Sequence, residues 1–136
     1  MATIPQINIV APKRVPFDDT IHAMVVDYSG ATPLMEIRTH PGASGSALVS
    51  LGASTSGGEG ITVTYDAGYP DPDGELPDGA TVVRILINET TLESLAYGAD
   101  TSQPVELYYD IHLTPSGGKK FIFCGGKFTV TPGVTL

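Results

Sequence analysis

In "GITVTYD", Gly60 to Asp66, apolar and polar side chains alternate strictly, and about nine such short runs recur along the chain, each closed by glycine, proline or small polar residues. A chain cut at these intervals leaves little room for long helices. Period-two alternation instead needs a sheet with at least one covered face, so the pattern predicts an all-β protein, a sandwich or an open barrel. The 136 residues suit one domain with a real core, and 41% hydrophobic content agrees with that.

The expected strands are "PQINIVAP" (5–12), "IHAMVVDY" (21–28), "PLMEIRTH" (33–40), "SALVSL" (46–51), "GITVTYD" (60–66), "ATVVRILIN" (80–88), "VELYYDIHLT" (105–114), "KKFIFCG" (119–125) and "GKFTVTP" (126–132). Pro5 and Pro12 place the first at a sheet edge. Alternation puts Leu34, Glu36 and Arg38 on one face against Met35, Ile37 and Thr39, and turns Ile61, Val63 and Tyr65 inward. Glu36 and Arg38 form one local ion pair on a solvated face. "HPGASG" and "PSGG" read as hairpin connections, and Gly125-Gly126 as a bulge or sharp bend between the last two strands. "ETTLESLAYGA" (89–99) is the one helical stretch, of one or two turns.

Charge removes two classes of partner. Seven basic and fifteen acidic side chains leave a net charge of −8, which repels a phosphate backbone and an anionic membrane surface. Between Arg38 and Arg84 there is no basic residue, while Glu59, Asp66, Asp71, Asp73, Glu75 and Asp78 all fall there, so one region of the surface is strongly negative. No run is as long as a membrane span, and the opening "MATIPQINIVAPKRV" places its positive pair after the apolar run, unlike a secretory signal. With one cysteine, Cys124, no internal disulfide forms, and a reducing compartment is expected.

Chemistry is sparse. His22, His40 and His112 lie on separate strands or strand ends with no second ligand at a metal spacing, and read as surface or core residues. Cys124 has Lys119, Lys120 and Lys127 nearby in sequence, which would lower its thiol pKa if they were close in space; strand alternation favours a small core residue. The acidic loop "AGYPDPDGELPDG" (67–79) has enough carboxylates to attract calcium but lacks the spaced acidic positions of a calcium loop, so cation binding between Asp66 and Asp78 stays open beside the simpler reading of a solvated, association-blocking loop. "SGGKK" and "CGGKF" lack the pattern of a phosphate loop, and no nucleophile elbow is present. The "NET" at Asn88 matches a glycosylation acceptor only in its three letters. No catalytic residue, cofactor-binding residue or metal ligand is assigned. The chain reads as a non-enzyme without cofactors, ahead of a hydrolase with an unrecognised Ser/His/Asp arrangement.

The ordered set "DYSGATPLMEIRTHPGASGSALVSL", "GITVTYD", "TVVRILINETTLESL" and "VELYYDIHLTPSGGKKFIFCGGKFTVTPGVT" resembles a family of small tailed-phage and prophage proteins. Its marks are a turn from Asp27 to Gly30, the strand arginine Arg38, Tyr109-Asp110, and a closing strand from Gly126 to Thr135. The resemblance runs from about residue 15 to the end. It implies an immunoglobulin-like antiparallel sandwich similar to the N-terminal domain of phage upper-baseplate proteins, and a structural virion component in the tail, baseplate or tail-fibre region. The partners it implies are other virion proteins, including further copies in a ring or array, in a virion assembled from protein made in the bacterial cytoplasm. A head decoration protein and a carbohydrate- or receptor-binding module are the alternatives; absence of tryptophan weakens the latter, though six tyrosines are available. The acidic loop is longer than the pattern requires, and the chain stops at Leu136 where longer relatives continue, so a free-standing module is expected. Residues 1–16 form either an arm that adds a strand to a neighbour or an edge strand of the chain's own sandwich, and residues 17–136 form a single domain.

Overall fold

The computed structural model describes residues 5–24, 26–54, 57–70, 79–95 and 102–133. Eight strands and one helix are found among them: β1 (Ile9–Pro12), β2 (Phe17–Met24), β3 (Thr32–Arg38), β4 (Val49–Leu51), β5 (Gly60–Asp66), β6 (Ala80–Ile87), α1 (Glu89–Ser94), β7 (Val105–Thr114) and β8 (Phe121–Thr131). They form a five-stranded sheet in the order β1-β8-β7-β3-β4 and a three-stranded sheet in the order β2-β6-β5. That order, one sheet holding the third, seventh and eighth strands and the other the second, fifth and sixth, makes the protein an immunoglobulin-like sandwich.

The inward residues of both sheets meet in one core. Met35 and Ile37 of β3, Ile111 and Leu113 of β7 and Phe128 of β8 face Ile61, Val83, Ile85 and Ile87, all nearly or fully buried. Phe128 packs edge-on against Phe17 and Tyr109, with centroids 6.1 and 6.3 Å apart. The alternation in β3 and β7 is therefore real. In β5 it decays along the strand, because Ile61 is buried, Val63 half-buried and Tyr65 exposed. Tyr65, expected inward, instead lies beside Gly79 at the sheet end.

Four further expectations change. The second strand is Phe17–Met24 and not 21–28, because its partner β6 pairs Phe17 with Ile87 through to Met24 with Ala80. Beyond it the chain leaves the sheet, and the buried Thr81 hydroxyl satisfies it there, donating to the Val26 carbonyl and accepting from the Tyr28 amide at 2.8 Å. A turn follows, in which the Asp27 carboxylate accepts from the Ser29 amide and hydroxyl at 2.9 and 2.6 Å and Ala31 donates to the Tyr28 carbonyl. Gly30 supplies the positive φ of 83° that the turn needs.

Second, the last two expected strands are one continuous strand, β8. The register irregularity lies elsewhere, where Ile111 faces Cys124 but His112 faces Ile122. Gly126 is small because the N-terminal edge segment passes close by: a side chain there would stand 2.7 Å from the Ile7 carbonyl oxygen, while one on Gly125 would press on Tyr109 and Asp110 of β7. Third, the sandwich is not wholly antiparallel, since β1 runs parallel to β8, with Ile9 opposite Phe128 and Pro12 opposite Thr131. Residues 5–12 thus lie on the edge of their own sheet, joined further by Ile7 N–H to Gly125 O (2.9 Å) and Gly125 N–H to Pro5 O (3.1 Å).

Fourth, the helix is shorter than the stretch 89–99: α1 ends at Ser94, and Leu95 is already extended. Leu92 is fully buried and anchors it. Asn88 stands at its N-cap, its amide bound by the Glu59 carboxylate at 2.8 Å. The other end is held by the β1–β2 turn. Lys13, almost wholly buried, donates from Nζ to the Leu95 carbonyl at 2.6 Å, and Arg14 reaches both Glu93 carboxylate oxygens at 2.9 and 3.1 Å.

Candidate functional site

Because Met35, Ile37, Leu107, Tyr109, Ile111 and Leu113 turn inward, their neighbours must turn outward, and the outer face of the five-stranded sheet is where the polar side chains collect. The register arranges them in rows. Leu34, His112 and Ile122 stand side by side across β3, β7 and β8; Glu36, Asp110 and Gly125 form the next row; Arg38, Tyr108 and Lys127 form the third. Leu34 and Ile122 are two of the large apolar side chains the protein leaves exposed, at 38% and 37%.

Two adjoining depressions lie over these rows. One, of about 240 Å³, is lined by Glu36, Arg38, His40, Pro41, Tyr108, Asp110 and His112. The other, of about 470 Å³, continues past Tyr108 and Asp110 to Gly125, Gly126, Lys127, Ile122 and the edge residues Gln6 and Asn8. The β3–β4 loop makes one wall and the N-terminal edge segment the other. Arg38 builds the first wall: its guanidinium donates to the Ala43 and Gly45 carbonyls at 3.0 and 2.7 Å and to Glu36 at 3.1 Å. The Glu36–Arg38 pair thus has a definite task, which is to fasten the "HPGASG" loop over the sheet. Asn8 secures the other wall, accepting from the Lys127 amide at 3.1 Å.

Charges on this face are largely paired. Lys127 lies 3.4 Å from Glu106, which also accepts from the Tyr108 hydroxyl at 3.1 Å. Asp110 faces only His112, at 3.4 Å, and that histidine carries charge only when protonated. Asp110 therefore presents the least compensated carboxylate of the groove, with its side chain 46% exposed.

The structure separates the residues that the sequence singled out. His40 and His112 share the smaller depression, whereas His22 lies on the other sheet, stacked on Tyr69 with centroids 4.3 Å apart. No group of three or more metal-ligating side chains occurs among the described residues. Asp71 to Asp78 of the acidic loop lie outside the described residues. Cys124 is a buried core residue, not a thiol activated by lysines: burial pushes its pKa up to about 11. Of the adjacent Tyr108 and Tyr109, Tyr109 is the inward one, donating to the Ile7 carbonyl at 2.6 Å, with burial raising its pKa. Tyr108 is outward. The sequence reading missed Lys13 and Arg14 as helix clamps; a basic pair directly after an edge strand gave no sign of a partner 82 positions away.

No known protein family matches this chain, and no curated protein does. Among solved structures it is similar to the periplasmic chaperone SfaE, with a TM-score of 0.41 and 9% identity, over 98% of this chain. The chain spans 58% of that chaperone's length, and a likeness at this level assigns neither family nor activity.

Proposed function

We propose that this chain is a structural component of a tailed-phage virion, an assembly or attachment module of the tail, baseplate or tail-fibre region whose partners are other virion proteins. One observation carries the reading. Arg38, Asp110 and Gly126, three of the residues that bear its resemblance to small phage proteins, are scattered in the sequence but lie on one sheet and line one outward groove. That surface has the make-up of a protein interface: exposed aliphatic side chains beside an aromatic, with charges paired around them. On this reading the face holds a neighbouring protein, and the protein works by position and repetition, with no chemical step.

The test is location. Particles of the phage that encodes the protein are separated into heads and tails, and each fraction is analysed by mass spectrometry. Recovery with tails, at a copy number that is a multiple of the tail's rotational symmetry, is the expected result. Recovery with heads would make it a decoration protein. Absence from both would discard the virion reading and favour a free carbohydrate- or receptor-binding module.

A further inference from the structure

The β7–β8 hairpin and the groove suggest how copies of the chain meet. Lys119 and Lys120 are both exposed at the hairpin, and neither has a hydrogen-bond or ion-pair partner among the described residues. They are an adjacent, exposed basic pair on a chain whose net charge is −8. At about 3.3 Å per residue, Lys120 lies about 16 Å along β8 from Gly125, the residue opposite Asp110, so a chain's own hairpin lysines do not reach its own Asp110.

We propose that a second copy of this chain inserts its β7–β8 hairpin into the groove of the first, with Lys119 and Lys120 against Asp110, so that copies join head to tail. Three observations support this occupant. Charge is complementary, since Asp110 has only a histidine for company while Glu36 and Glu106 already hold Arg38 and Lys127. Shape is complementary too, because the hairpin is a tight turn closed by Gly118 N–H to Pro115 O at 2.9 Å, and the depression beside Asp110 has about 470 Å³ in which to receive it.

The third is direction. The loop wall at Pro41 stands where β7 begins and the hairpin stands where β7 ends, so the two surfaces lie towards opposite ends of one sheet. A contact between different surfaces is heterologous: it generates a ring if the rotation closes and a filament if it does not. The inference deepens the virion reading and rests on it for its purpose. The experiment below uses purified protein, so particle location and self-association can fail separately.

Sedimentation equilibrium at low ionic strength, up to about 1 mM protein, compares the natural chain with three variants: Lys119→Glu/Lys120→Glu, Asp110→Lys, and the triple combination. All altered positions are partly or fully exposed, so each variant is expected to fold, and circular dichroism verifies it. The natural chain should self-associate, with the association constant falling steeply near 1 M salt, where screening acts within about 3 Å. Each partial reversal should lower the constant about tenfold, and the triple variant should recover most of that loss. A natural chain that stays monomeric throughout would overturn the proposal. So would partial reversals that associate like the natural chain, or a triple variant that recovers nothing.

Discussion

Lys13 and Leu95 are 82 positions apart, yet the ammonium of one donates to the carbonyl oxygen of the other at 2.6 Å in the protein interior. This bond closes the C-terminal end of α1, where no basic residue of the helix itself is present. It couples the β1–β2 turn to the connection that crosses between the sheets.

Lys13→Met keeps the aliphatic stem and removes the donor, leaving the Leu95 carbonyl short of a partner. Chemical denaturation should show a loss of about 1–3 kcal/mol. Amide hydrogen exchange should accelerate at Leu95, whose bond to the Leu92 carbonyl holds that helix end. Unchanged exchange there would mean the clamp is incidental.

Thr81→Val tests the exit from β2. The substitution is close to isosteric, but it strips the Val26 carbonyl and the Tyr28 amide of their shared partner. With Thr81 fully buried, the expected cost is about 2–4 kcal/mol, read from urea unfolding. Thr81→Ser, which keeps the hydroxyl, should recover more than half of it.

Alkaline pH should weaken the fold. The Cys124 thiol titrates ordinarily near 9.0 and is pushed up to about 11 by burial, and Tyr109 shifts in the same direction. Between those values the folded state binds more protons than the unfolded chain, so stability is full below about pH 9 and falls as pH rises towards 11. Equilibrium unfolding across that window should show the decline, with a shallower slope in Cys124→Ala. At neutral pH the native thiol should resist a thiol reagent that reacts quickly once denaturant is added.

Acid acts on the other sheet. Arg84 donates to both carboxylate oxygens of Asp18 at 2.9 and 2.7 Å, bridging β2 and β6, and these bonds hold the Asp18 pKa below its ordinary value. The contribution is present above the ordinary carboxylate pKa and lost as pH falls through the lowered one. The melting temperatures of the natural chain and Asp18→Asn should therefore differ most at neutral pH and converge in acid. A constant difference at all pH values would assign the effect to something other than this pair.

Much of the sandwich was legible because burial writes itself into alternation. The bounds of β5 and β7 and the inward turn of Met35 and Ile37 follow from period two alone. What alternation does not carry is the partner. The start of β2 was misplaced because "FDD" looks polar, and only the register against β6 brings Asp18 and Asp19 into a strand. Gly125-Gly126 suggested a bend, since a sequence does not reveal that a distant segment passes within van der Waals distance. The outer groove was half visible: Glu36 and Arg38 were readable on one face, but which of Tyr108 and Tyr109 joins them, and their grouping with Asp110, Lys127 and Asn8, depends on strand order across the sheet.

The parallel seating of β1 on β8 also fixes an order of events. Asn8 and Lys127 are 119 positions apart, so the first strand has no partner in its sheet until β8 has left the ribosome. Until then Ile9 and Ala11, buried in the finished protein, stay uncovered, and so does the flank of the core that they close. Synthesis and folding are therefore sequential at this sheet edge: β1 is made well before the strand that gives it its place.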